Sequence, residues 1–301
     1  MNLPKKHREE TENLIREQSK TDSDKIKFAN WALKVGYYPE PFVLPPCFKI
    51  ENFELSEDRY EENDYSHSGW EPYKFATISF PKTGLIQRVF GIIHPKRYHD
   101  IVWELVKDWD NLLEKLFDPE NEIYSYSFPL SITKSEQGKL RAGRMIYEFL
   151  EMAEVDLVSE AHNYKKIVKV DITNFYNSVY THTIAWAWKG DRKEALSDSS
   201  TYYYTGTKLD KLFQYSNDQR TNGLAVGPVI SDLIVEIILT ERDKEITKRL
   251  KKLGIDFLAT RFKDDYKILA NSKEEGEKIV KIIIDVLDEF NLQVNETKTQ
   301  I

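Results

Sequence analysis

The chain reads as an α+β protein, an antiparallel sheet with helices on one face. Three observations predict it. Short apolar strands alternate with amphipathic helices over the last 135 or so residues. A pair of strands flanks the acidic turn Lys263-Asp264-Asp265. Upstream, residues 75–93 alternate around Thr83-Gly84 as a hairpin does. With 301 residues, 41% of them hydrophobic, the chain can bury one large core or two small ones.

In chain order, residues 6–34 are expected to be helical, charged at first and then apolar at Phe28, Trp31, Ala32 and Leu33. Residues 35–48 hold four prolines and must be extended or turning. Residues 49–72 lack periodicity and are expected to be loop. After the hairpin, helices are expected at 96–117 and 138–153. Ile167–Ile172 is a strand, Phe175–Trp188 a helix, and the Ser/Thr/Tyr-rich stretch 190–222 an insertion or connection. A long helix, Val229–Leu250, follows a glycine-bearing turn. Ile255–Arg261 and Tyr266–Ala270 are strands, Lys273–Phe290 an amphipathic helix, and Leu292–Val294 the start of another strand.

Composition excludes several classes. One cysteine, Cys47, rules out an internal disulfide and a cysteine-only metal cluster. The N-terminus is charged throughout, unlike a secretory signal. The longest apolar stretches, such as Ile279–Leu287, are too short to cross a bilayer. A cytoplasmic protein with no membrane partner is expected. The net charge of −7 runs against nucleic-acid binding, which phosphate contacts usually dominate. Acidic residues concentrate in segments read as peripheral, Glu51–Asp64 and Asp118–Glu122, so any basic surface must be local.

The chemistry is sought at Asp171 and Asp264-Asp265. Adjacent carboxylates repel, and the cost rises with burial. A plain hairpin turn would use Asn-Gly or Asp-Gly. Divalent cations relieve the repulsion, and Mg²⁺ favours a few carboxylates plus phosphate and water. Taken alone, each of these acids also fits an ordinary solvated turn or strand end.

The surroundings change that balance. VDITNFYNSVY (170–180), GLAVGPVISDLIVEI (223–237) and FKDDYKIL (262–269) resemble motifs A, B and C of reverse transcriptases, in order. FPKTGLIQRVFGIIHP (80–95) resembles the fingers segment, and NLQVNETKT (291–299) resembles motif D. YTHTIAW (180–186) is similar to a feature of the prokaryotic abortive-infection, AbiK-like, defence-associated members. Four departures stand out: Phe262-Lys263 in place of Tyr and a small or apolar residue, Ala225-Val226 in place of Pro-Gln, a sequence stopping after motif D without the family's thumb, and the acidic net charge.

The resemblance implies a right-hand polymerase fold, fingers plus palm. Residues 1–165 would be an N-terminal extension and fingers, 166–188 the first part of the palm, 189–222 a connection or fingers insertion, and 223–301 the second part. It implies that Asp171, Asp264 and Asp265, with Ile172, hold two Mg²⁺ ions, Mn²⁺ substituting. Phe175 and Tyr176 would meet the incoming sugar, where the Tyr176 ring would clash with a 2′-hydroxyl. Lys82 and Arg88, on one face of the hairpin, would grip the triphosphate. Gly223 and Gly227 would pack on the nascent base pair, and Lys298 would donate a proton to pyrophosphate. Read as residues, Phe175 equally suits the core and Lys298 an ordinary surface. His182 suits a capping or packing role, and Trp186 and Trp188 the core.

The implied activity is deoxynucleotide addition in anti-phage defence. It could be template-independent and primed by a protein hydroxyl, for which Tyr60, Tyr65 and Tyr73 are available. The implied partners are deoxynucleoside triphosphates, a DNA or RNA strand and a homo-oligomeric copy. Two alternatives stay open. One is a catalytically silent polymerase-like assembly or binding protein. The other is an RNA-templated RNA polymerase or nucleotide cyclase-type palm enzyme.

Overall fold

A computed structural model describes residues 2–39, 44, 47–60, 70–84, 86–130, 143–197 and 204–301. The N-terminal helical stretch is two helices, α1 (Leu3–Gln18) and α2 (Asp22–Lys34). The break has a local cause. Thr21 and Asp24 form a reciprocal capping box, each side chain satisfying the other's backbone N–H, so a new helix starts there. The expected hairpin is present as antiparallel β1 (Ala76–Thr83) and β2 (Ile86–Ile92), with a register shift between Pro81 and Thr83.

The helix expected over 96–117 is also two, α3 (Pro95–Lys107) and α4 (Trp109–Leu116), parted at Asp108. The Asp108 carboxylate accepts the indole N–H of Trp188. Next comes β3 (Ile123–Ser125), which the pattern of residues did not announce, and then α5 (Gly143–Glu160). The helix expected at 138–153 therefore runs later, and its first residues lie outside the described ones.

The sheet has the order β3-β5-β6-β4, built from β4 (Lys166–Asp171), β5 (Leu258–Phe262) and β6 (Asp265–Ala270) around β3. It is mixed: β3 runs parallel to β5, while β5–β6 and β4–β6 are antiparallel. Between β4 and β5 lie α6 (Phe175–Ser178), α7 (His182–Lys189), α8 (Arg192–Ser197), α9 (Thr205–Tyr215) and α10 (Val229–Lys252), and α11 (Lys273–Asp288) follows β6. The helix expected over 175–188 is thus broken at Val179–Thr181. The stretch expected to be a connection contains two helices, of which α9 is anchored by buried Leu209, Leu212 and Phe213.

Alternation along each strand splits the sheet into two faces. Val168, Val170, Ala259, Tyr266 and Ile268 point to α10 and α11 and join the main core. Leu258 and Leu269 point the other way and pack on Ala153 and Leu157 of α5. α10 is buried nearly all round, so it is the central helix against which the sheet, α4, α7 and α11 are laid. Among the described residues no helix is long and apolar enough to cross a membrane. Of the segment expected as a strand at 292–294, Val294 makes one isolated bridge, to Ile172 just after β4, and farther along Gln300 bridges Lys169 within β4.

Candidate active site

Asp171 is the last residue of β4 and Asp265 the first of β6, and the antiparallel register sets them directly opposite each other. Asp264 lies in the turn between β5 and β6, its carbonyl accepting the Ile172 N–H at 3.3 Å. The third and fourth supports come from the chain's last residues. Thr173 N–H donates to the Gln293 carbonyl, and Asn295 N–H to the Asp171 carbonyl, both at 2.7 Å. The three acids predicted from the residues are therefore brought to one end of the sheet by strand register and one tight turn.

The electrostatics report crowding. Burial, then the neighbouring Asp264 and Asp171, push the Asp265 carboxyl up to about 6. Burial, with the charge of Asp171, also raises Asp264. Lys298 answers part of this charge. Its Nζ donates to Asp171 Oδ2 at 2.7 Å, and that bond, with the three carboxylates around it, raises its own pKa. Asp171 and Asp265 line a cleft of about 340 Å³, whose walls include Lys169, Lys267, Lys298 and Phe262. Among the described residues no three acidic, histidine or cysteine side chains are placed so as to hold a metal ion together. The donor set nevertheless suits a hard divalent cation: it is all oxygen, and its negative charge exceeds what the chain supplies to balance it.

Other expected residues fall as follows. Phe175 is 3% exposed and belongs to the core, whereas Tyr176 is half-buried and donates its hydroxyl to Asp232 of α10 at 2.5 Å. Gly227 has φ of 116°, and a Cβ there would come within 2.7 Å of Pro39 and 3.2 Å of Phe90, so both its conformation and its space require glycine. The loop around it holds the hairpin, with Gly91 N–H donating to the Val226 carbonyl at 3.0 Å. Gly223 has φ of 91°.

Arg88 pairs with Phe80 in the hairpin ladder, while Lys82 falls in the register shift. Both are exposed. The hairpin irregularity therefore replaces the regular one-face alignment expected from even spacing. His182 pairs with Asp210 of α9 at 2.6 Å, and Trp186 and Trp188 lie in the core. Tyr60 is exposed, Tyr73 stacks on His94, and Tyr65 lies outside the described residues.

Reading the residues alone missed a second set of acids directly beneath the turn. Arg261, fully buried in β5, forks onto Glu236 of α10 at 2.8 and 3.0 Å. Its Nε reaches Asp243 at 2.7 Å, and Tyr266 donates to the same carboxylate at 2.8 Å. Arg261 Nη1 also donates to the Lys263 carbonyl at 3.0 Å, fixing the turn that carries Asp264. The signal was present: Glu236 and Asp243 stand in an apolar helix, and Arg261 in an apolar strand. Buried charge of that kind needs a partner.

The sequence matches the family described as reverse transcriptase (RNA-dependent DNA polymerase) over residues 113–301, well over half of the chain. It is 26% identical over 152 residues to a retron Se72 reverse transcriptase of Salmonella heidelberg (strain 579083-10). That alignment covers 48% of this chain and 36% of the relative, so the chain spans about a third of that protein. Solved structures with a similar course include telomerase of Candida albicans, in complex with a fragment of telomeric RNA, at TM-score 0.47 and 12% identity, covering 76% of this chain and 42% of that one. Apo telomerase of Candida tropicalis gives TM-score 0.48 and 14% identity, covering 77% and 45%.

Proposed function

The chain belongs to the reverse transcriptase family, and on that premise we propose that it adds deoxynucleotides to a nucleic-acid strand or to a priming hydroxyl. The observation that carries this reading is the facing pair Asp171 and Asp265 with Asp264 in the adjoining turn, an all-oxygen cluster short of positive charge. Asp171, Asp264, Asp265 and the Ile172 carbonyl would hold two Mg²⁺ or Mn²⁺ ions, which when bound lower the pKa of an attacking hydroxyl and neutralise charge gathering at phosphorus.

The chain's own residues do the rest. A 3′-hydroxyl, giving up its proton to solvent, attacks the α-phosphate of the bound triphosphate; a new P–O bond forms, and the bond to pyrophosphate breaks. The Gly227 loop lies beside the hairpin that carries Lys82 and Arg88, whose exposed cations suit the β- and γ-phosphates. The Tyr176 ring would clash with a 2′-hydroxyl on the incoming sugar. Lys298 keeps its proton, and releasing Asp171 would free that ammonium to protonate the departing pyrophosphate.

The Thr-His segment YTHTIAW supports placement with the abortive-infection members, hence phage defence and synthesis without a template, primed by an exposed tyrosine such as Tyr60. The retron relative supports the polymerase reading as well. A net charge of −7 favours a second reading, a silent polymerase-like binding protein.

Incorporation of labelled deoxynucleotide with Mg²⁺ or Mn²⁺ separates the two. Asp264→Ala and Asp265→Ala are expected to abolish product. Equal product from both variants and the parent protein would end the catalytic reading. Run without added nucleic acid on a denaturing gel, the same assay is expected to show label migrating with the protein if a tyrosine primes.

A further inference from the structure

Tyr176 sits in α6, a helix of four residues entered from a left-handed Asn174 (φ 48°). So short a helix holds a side chain weakly, and a ring that must discriminate a single hydroxyl group needs a fixed position. The Tyr176 ring packs against the core beside Phe175, and its hydroxyl is held from a different element. The Tyr176 hydroxyl donates to Asp232 Oδ1 at 2.5 Å, and Lys263 Nζ donates to the other oxygen, Oδ2, at 3.2 Å. Asp232 is only 6% exposed and stands in the first turn of the 24-residue helix α10, so its position is rigid.

Lys263 is held in turn. It adopts a left-handed backbone with φ of 52°, a conformation that costs a residue with a Cβ and persists only where surroundings impose it. Arg261 grips its carbonyl, Asp232 its ammonium, and Asp264 follows it directly. This is also one of the positions at which the sequence departs from the family pattern: a lysine replaces a small or apolar residue, and the acid it reaches is the one that holds Tyr176.

We propose that Asp232 and Lys263 are positioning residues for sugar discrimination, locking the Tyr176 ring against the nucleotide's 2′ position through one shared carboxylate. The proposal rests on the reading of Tyr176 as the sugar gate. The gate is then a property of three side chains on α6, α10 and the β5–β6 turn, and its position is tied to the turn that carries Asp264.

The test is the ratio of kcat/KM for deoxynucleotides to that for ribonucleotides, in the parent protein, Tyr176→Ala, Tyr176→Phe, Lys263→Met and the Tyr176→Phe/Lys263→Met double variant. Tyr176→Phe keeps the ring and removes only its tether. Lys263→Met acts at a partly exposed side chain, so the fold tolerates it. Both are expected to lower the ratio about tenfold, the scale of one charge-assisted hydrogen bond. The double variant is expected to fall no further than either single one, because both cut the same chain of contacts. A merely structural role would depress both substrates and leave the ratio alone. If Tyr176→Ala loses discrimination while Tyr176→Phe and Lys263→Met retain it in full, the ring suffices and the proposal is overturned with the gate intact. If Tyr176→Ala also keeps the ratio, the gate reading falls and takes this proposal with it.

Discussion

Two acidic clusters lie one layer apart at the same end of the sheet, and they treat charge in opposite ways. The inner one, Glu236 and Asp243, is sealed from solvent and answered by a single guanidinium, Arg261, with Tyr266 completing the set. The outer one, Asp171, Asp264 and Asp265, opens onto a cleft through Asp171 and Asp265, and the cations that answer it are Lys298, a side chain 58% exposed, and Lys263, whose ammonium is already paired with Asp232. Both raise a carboxyl to about 6, Asp243 inside and Asp265 outside. In both, burial leads; inside, Arg261 and Tyr266 oppose it more than the neighbouring Glu236 adds to it, whereas outside the neighbouring acids add more than Lys298 takes away. Charge that the chain completes by itself is scaffold, and charge it leaves incomplete marks where a cation from solution would fit.

The contrast can be broken most severely from the inside. Arg261→Met leaves two buried carboxylates without their partner, and the expected loss is ~3–5 kcal/mol in urea unfolding. A change below about 1 kcal/mol would mean that the inner cluster is not held by its arginine.

From the outside, removing an acid should have the opposite sign. The folded pKa of Asp265 is raised from 3.8 to about 6. Between those values the folded protein binds more protons than the unfolded chain, so stability falls as pH rises, and the penalty is complete above about pH 6. In metal-free protein kept in EDTA, Asp265→Asn is therefore expected to be more stable than the parent at pH 8. Discounted for solvent screening at this exposed side chain, the gain is ~1 kcal/mol, and it vanishes near pH 4. Loss of stability at pH 8 would show the outer acids to be structural.

The smallest effect is expected at Lys298. Its partner Asp171 is buried, but the ammonium itself is 58% exposed and screened by solvent, so Lys298→Met should change stability by less than ~1 kcal/mol, with a difference that shrinks in high salt. A larger, salt-independent loss would place Lys298 with Arg261 as scaffold.

The pieces of the outer cluster were legible in the residues, an apolar strand ending in Asp171 and two strands joined by Lys263-Asp264-Asp265, and the ordered motifs around them singled them out, but the pairing that sets Asp171 opposite Asp265 is long-range. The hairpin around Gly84 was legible because its pairing is local. What escaped depends on long-range pairing. Strand β3 has three residues and exists through parallel pairing of Ile123 with Ala259, which no local period encodes. The helices α8 and α9 hide in a stretch whose Ser, Thr and Tyr content resembles loop, although Leu209, Leu212 and Phe213 carry helical spacing. The inner cluster was readable in principle, since Asp232, Glu236 and Asp243 interrupt an apolar helix, but only the fold says that Arg261 and Lys263 meet them.

Manganese binding tests the account most directly. Titrated calorimetrically with Mn²⁺ in the presence of a deoxynucleoside triphosphate, the parent protein is expected to take up the ion, and Asp171→Asn, Asp264→Asn and Asp265→Asn each to lose most of that uptake while remaining folded. Equal binding by the parent and all three variants would contradict the claim that the outer acids are left incomplete for a divalent cation.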